Sequence, residues 1–123
     1  MSEYIDGFVI PLPKNKLESY RKMAEVANQV WREHGALDYR ECIGEDLEAK
    51  EGCGSFLAGL NVKDGETVAF SWITYKSRQH RDEVNEKVFK DPRLAEMCGG
   101  DDMPFDPQRM LYGGFQGFVP GDK

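Results

Sequence analysis

Two segments of this chain are apolar on both sides at once, and that restricts its fold more than any single motif does. In Tyr4 to Ile10, the residues Tyr4, Phe8 and Ile10 share one side of an extended chain while Ile5 and Val9 share the other. In Thr67 to Tyr75, Val68, Phe70 and Trp72 alternate with Ala69, Ile73 and Tyr75. Side chains on a strand point alternately to the two faces of its sheet, so both strands belong to a sheet with two dry faces. Helices are scarce by comparison. The chain offers two substantial helical stretches, and two helices cover only one face of a four-stranded sheet. A second copy of the same sheet, packed face to face across a two-fold axis, is the economical cover for the other. The expected assembly is a homodimer joined through the sheet face.

The first helix is expected from about Lys14 to His34. Leu17, Tyr20, Ala24, Ala27 and Trp31 recur at spacings of three and four, and Gly35 supplies a helix stop. Pro11-Leu12-Pro13 ends the strand before it, because proline donates nothing to a sheet ladder. Leu37 to Gly44 reads as a second strand and Glu45 to Gly54 as a polar loop. Strand character resumes from Ser55 to Val62, where Phe56, Ala58, Leu60 and Val62 alternate. Lys63-Asp64-Gly65-Glu66 then makes a hairpin turn into Thr67–Tyr75, since Asp-Gly accepts positive φ. Ser77 caps a second helix to about Lys90, and Asp91-Pro92 restarts a short one that ends at Cys98-Gly99-Gly100. The last strand runs from about Arg109 to Val119 after a proline-rich turn. One domain over residues 1–123 accounts for all of it, and a chain of this size buries roughly two-thirds of its unfolded surface.

Charge and rare residues narrow the chemistry. The net charge of −6 disfavours non-specific nucleic-acid binding, which needs cations that displace counterions, and no basic-aromatic platform for RNA is visible. Cys42, Cys53 and Cys98 are odd in number and lack Cys-x-x-Cys spacing, so they read as reduced thiols. No stretch is apolar enough to span a bilayer, and the Met1-Ser2-Glu3-Tyr4 start lacks a basic leader, so a cytoplasmic location is expected. His34 reads as a cation at a helix C-terminus and His80 as a solvated first-turn residue. Neither has a partner at metal-ligand spacing, and no metal or other cofactor is expected.

The residues that stand out are polar groups on apolar strands. Asp6 shares a side with Tyr4 and Phe8. Held there, it is either a general acid or base with a raised pKa, or a carboxylate bonded to Arg109 or to a nearby amide. Arg109 follows a Pro-x-Arg turn, where its fork suits an anionic ligand, Asp106, or a carboxylate of a partner subunit. Tyr112 and Trp72 are amphipathic aromatics that line a cavity or fill the core. Gly113-Gly114 implies close backbone approach or a bulge, because paired glycines otherwise weaken a strand. Cys42 has no neighbour that would activate it and reads as a small buried hydrophobe beside Glu41.

Tyr4-Ile5-Asp6-Gly7-Phe8-Val9, Glu41-Cys42, Phe70-Ser71-Trp72-Ile73, Arg81-Asp82-x-x-Asn85, Asp91-Pro92-Arg93 and the segment Met103 to Phe115 occur here in that order. The set resembles the YbaA-like bacterial family of unknown function over nearly the whole chain, departing from it in the Glu45–Gly54 loop. The resemblance implies an α+β, ferredoxin-like βαββαβ antiparallel sheet with two helices on one face, in the dimeric α/β-barrel superfamily. It also adds Arg81 and Asn85, one helical turn apart, to the residues of interest. Relatives in that superfamily range from cofactor-free enzymes to ligand-binding modules, so fold alone does not choose a function. The function expected is binding or conversion of a small, anionic metabolite between sheet and helices. Asp6 would take the proton, Arg109 would clamp the anion, and Tyr112 and Trp72 would form walls. A non-catalytic structural or protein-interaction dimer is the alternative, and RNA association ranks last.

Overall fold

A computed structural model describes residues 3–98 and 103–119. Strand β1 (Tyr4–Pro13) leads through a 3-10 turn (Lys14–Lys16) into helix α1 (Leu17–Glu33), followed by β2 (Asp38–Ile43). A short helix α2 (Phe56–Gly59) precedes β3 (Glu66–Tyr75), helix α3 (Arg78–Phe89) and helix α4 (Pro92–Cys98). A 3-10 turn (Pro107–Arg109) then delivers β4 (Leu111–Gln116). The strands lie in the order β2-β3-β1-β4, all neighbours antiparallel, so the two strands with two apolar faces are the central pair. This is the ferredoxin-like α+β arrangement. No helix among the described residues is long and apolar enough to cross a membrane.

Helices α1, α3 and α4 cover one face. Val30 of α1 and Val84 and Val88 of α3 meet Ile73 and Tyr75 of β3, with Leu94 of α4 packed against them. Tyr20 of α1 meets Ile10, Leu12 and Ala69 at the other end of the sheet. The helix ends follow local chemistry. Gly35 takes φ +119 where α1 stops, and the Ala36 amide closes the end by donating to the Trp31 carbonyl at 3.0 Å. The Ser77 hydroxyl accepts from the His80 amide at 3.1 Å and starts α3.

The other face carries Ile5, Val9, Phe70, Trp72, Leu111 and Phe115, and among the described residues it is left open there, while Pro11 and Val68 at its far end are buried. Phe70, Leu111 and Phe115 are 46%, 57% and 61% exposed. The Phe115 ring lies across the paired Gly7 and Gly113, where an added Cβ would make ordinary contact with it at 3.4 Å.

Three boundaries differ from expectation. β1 does not stop before Pro11 but continues to Pro13, with Pro11 opposite Val68 and Pro13 opposite Glu66. Lys14 donates to the Gly65 carbonyl, which sets the even residues of β1 as those bonded to β3. The nitrogens of Pro11 and Pro13 therefore point to the β4 side, and β4 pairs with β1 only as far as Val9. No ladder bond is lost. β4 in turn is shorter than Arg109–Val119, because Pro107–Arg109 forms the 3-10 turn, with Asp106 accepting from the Gln108 amide.

The third difference is larger: Ser55–Val62 is not a strand. The Ser55 hydroxyl accepts from the Ala58 amide at 3.1 Å and starts α2 instead. Both edges of β3 are already occupied by β1 and β2, which leaves no place for a fifth strand beside it. The Asp64-Gly65 turn forms, with Gly65 at φ +84, but it leads the chain into β3 rather than closing a hairpin.

Candidate functional site

Four of the residues singled out from sequence meet in one cluster. Asp6, only 1% exposed, projects from β1 toward the helices. Arg81 of α3 donates from Nη1 to Asp6 Oδ1 at 2.7 Å and to the Tyr112 hydroxyl at 2.7 Å. Tyr112 of β4 donates to the same carboxylate oxygen at 3.1 Å. The Arg81 guanidinium also lies 5.0 Å from the ring centre of Tyr4, a cation–π contact. One turn further along α3, Asn85 Oδ1 accepts from Trp31 Nε1 at 3.1 Å and from the Tyr75 hydroxyl at 3.3 Å. Burial pushes the Asp6 carboxyl up, while the Arg81 charge and the Tyr112 bond pull against it. Gly114 lies opposite Asp6, and a Cβ there would collide with the Tyr4 ring. The close approach that paired glycines imply is thus found at Gly114, whereas Gly113 has only ordinary contact with Phe115.

Arg109 and Trp72 stand apart from this cluster. Arg109 makes a two-pronged pair with Glu66, at 2.7 and 3.0 Å, and donates to the Asn61 carbonyl at 3.1 Å. Its partner is neither Asp6, Asp106 nor a free anion site. The bond ties the turn before β4 to the start of β3. Trp72 projects to the uncovered face, because it pairs with Gly7 and so has the opposite phase from Asp6; its ring lies 5.4 Å from that of Phe70. A single pocket walled by Asp6, Arg109, Tyr112 and Trp72 does not form.

Two clefts of about 540 and 290 Å³ lie away from α1, one between Tyr4, Arg78 and Gln116 and one beside Arg109 and Glu66, and two further cavities lie between α1 and the sheet. An outer cleft of about 590 Å³ is bounded by Leu17, Tyr20, Ala24 and Asn28 of α1 and by Tyr39, Glu41 and Ile43 of β2. A second, more apolar chamber of about 230 Å³, also open to solvent, is walled chiefly by Phe8, Trp31, Ile73, Phe105 and Met110. Tyr20, Ala24, Tyr39 and Glu41 border both. Glu41 is held by two phenols: Tyr20 donates to Oε1 at 2.7 Å and Tyr39 to Oε2 at 2.7 Å. No ion pair among the described residues involves it. Burial raises its pKa, and the two phenol bonds oppose the rise without cancelling it. Both phenols are themselves pushed well above the ordinary tyrosine value by burial and by the adjacent carboxylate.

Glu41 is absent from the residues singled out by sequence, although a signal for it existed. Alternation places it on the same side of β2 as Tyr39 and Ile43, so it is an acid on the inward side of a strand, as Asp6 is in β1. Cys42 is exposed rather than buried, because it lies opposite Phe70 on the face that the helices do not cover; Cys53, in the polar loop, is exposed as expected. His34 bonds Asp91 at 2.8 Å beyond the end of α1. His80 is not simply solvated: it accepts from the Lys76 amide at 3.0 Å and meets the Tyr75 ring edge-on. Among the described residues, no group of three or more His, Cys, Asp or Glu could hold a metal ion.

Comparison with known proteins agrees with this picture of the fold and is silent on chemistry. A profile of the family described as "Protein of unknown function (DUF1428)" matches residues 3–107. Proteins called "Uncharacterized protein YbaA", from Escherichia coli strain K12 and from Shigella flexneri, are each 40% identical over 117 residues, 95% of this chain and 97% of theirs. Among solved structures, a nipsnap family protein of unknown function from Agrobacterium tumefaciens superposes with a TM-score of 0.56 at 15% identity, covering 96% of this chain and 92% of that one. Rv0793 from Mycobacterium tuberculosis gives 0.50 at 15% identity, covering 99% and 98%. These two likenesses concern the fold alone.

Proposed function

Because the chain belongs to the DUF1428 family of proteins of unknown function, its activity has to be read from its own site, and we propose that it binds a small molecule between α1 and the sheet. The observation that carries this reading is Glu41. It is a carboxylate without a cation, held between two phenols and bordering both an open cleft and an apolar chamber. Leaving such a group unpaired is costly in a folded protein unless something else uses it. A carboxyl with a raised pKa in a largely apolar cavity is suited to accept or donate a proton, so binding and acid–base conversion share this site. The expected anion clamp has no support in the geometry, since Arg109 is taken by Glu66 and Arg81 by Asp6. Asp6 and Arg81 act in this reading as the tie that holds α3 against β1 and β4. Ligand-detected binding screens on the protein and on Glu41→Gln test it. Hits on both proteins that Ala24→Trp does not abolish would place the ligand outside this cavity.

The protein works, in the same reading, as a homodimer joined through the uncovered sheet face. Phe70, Leu111 and Phe115 supply the exposed apolar surface, which a monomer would leave in water. Sedimentation should give a dimer at micromolar concentration and a monomer for Phe115→Asp. The second reading, a non-catalytic structural dimer, draws on the closed pairing of Asp6, Arg81 and Tyr112. Turnover of any substrate that Glu41→Gln abolishes would displace it.

A further inference from the structure

We propose that the cavity beside Glu41 takes a small organic cation, a protonated amine on a single-ring apolar body, with the ammonium accepted by the Glu41 carboxylate. The inference rests on the ligand-binding reading above and names its substrate class. A carboxylate offers about four acceptor positions over two oxygens, and the phenols of Tyr20 and Tyr39 fill one on each oxygen. Glu41 borders both cavities, and among the described residues no arginine, lysine or histidine is paired to it. An ammonium supplies what is missing: up to three donors and the opposite charge in one compact head.

The walls suit the same ligand. Tyr20, Tyr39 and Trp31 border the more apolar chamber, and aromatic faces attract a cation that has lost part of its water. That chamber, at about 230 Å³ and open to solvent, is larger than a closed apolar cavity of ~150 Å³ that holds benzene. Room therefore exists for one ring and a short side arm. An anion meets the reverse situation. Arg21, the basic residue of the outer cleft, pairs with Glu18 at 3.6 Å and shares the cleft with Glu25 and Glu41.

The titratable groups facing Glu41 are Tyr20, Arg21 and Glu25 from α1 and Tyr39 from β2. From β1 and β3 come only Phe8, Ile10, Ser71 and Ile73. Both phenols stay protonated, so Glu41 sets the pH dependence: amine binding strengthens as pH rises through its raised pKa.

The test is calorimetric titration of the purified protein with three probes of one shape, phenethylamine, 2-phenylethanol and 3-phenylpropanoate, between pH 5 and 8. Phenethylamine is expected to bind best, to weaken toward pH 5, and to lose roughly tenfold or more in affinity in Glu41→Gln, as a charge-assisted hydrogen bond implies. Tyr39→Phe keeps the carboxylate and removes one donor to it. Amine binding should persist there with its pH midpoint moved upward, an outcome that a merely structural Glu41 would not produce. If phenylethanol or phenylpropanoate binds as tightly as the amine, or Glu41→Gln binds the amine unchanged, the cation is ruled out and the cavity remains a binding site. If none of the three binds, the inference fails together with the reading beneath it.

Discussion

Two inward-facing carboxylates in this molecule have been given opposite company. Asp6 and Glu41 both project from strands toward the helices, and both accept hydrogen bonds from tyrosine hydroxyls. Asp6 also has Arg81, an arginine brought from α3, and with it the charge is neutralised inside the fold. Glu41 has two phenols and no cation, and it borders open volume. A buried charge with its counter-ion fixes the position of an element. One without a counter-ion leaves a vacancy of defined sign. The first is structure, and the second is an opportunity for a ligand.

Removing Arg81 should break this contrast most severely. Arg81→Ala leaves Asp6 buried and uncompensated, and is expected to cost about 3–5 kcal/mol, read by urea unfolding at pH 7. If it unfolds near wild type, the ion pair is not the tie described here. Tyr39→Phe should cost less, about 1.5–3 kcal/mol for one bond to a charged acceptor, when measured above the pKa of Glu41. Losing the Glu66 pair in Arg109→Ala should lower stability less than either, with amine binding untouched because Arg109 borders neither cavity beside Glu41.

The smallest effect sharpens the comparison by its sign. Glu41 has a folded pKa above its unfolded value, so its contribution to stability is fully present below the unfolded pKa and lost as pH rises through the folded one. Glu41→Gln, which cannot ionise, should therefore gain stability relative to wild type as pH rises from 4 to 8 in the absence of ligand. Thermal melts across that range decide it. A relative loss on rising pH would mean that the carboxylate is satisfied as it stands.

The arrangement of strands and helices was open to sequence reading because its signals are periodic. Two-sided strands, a helical stripe from Leu17 to Trp31 and caps at Gly35 and Ser77 each act within a few residues. Ser55–Val62 failed for a reason of the same kind seen from outside: its alternation is real, but β3 has no free edge to receive it. Asp6, Arg81, Asn85 and Tyr112 could be named from sequence, yet the pairing could not. Alternation alone leaves Asp6 open to Arg109 or to a nearby amide, whereas the register places Gly114 opposite Asp6 and Arg109, in the turn before β4, pairs with Glu66. Glu41 was passed over beside Cys42. Its significance depends on Tyr20, which reaches it from a different element, and on empty space, which no residue spells out.

The prolines at the end of β1 carry a consequence for the life of the protein in a crowded solution. Past Val9 no strand among the described residues pairs with β1 on its β4 side, where the Pro107–Arg109 turn lies against it instead, so Pro11 and Pro13 would otherwise offer a short row of backbone groups without ladder partners. Such a row is a template on which another chain can add itself, the first step toward fibrils. Pro11 and Pro13 withhold the donors on that side while leaving the bonds to β3 intact. The same two residues that lengthen the strand also guard it against runaway self-association.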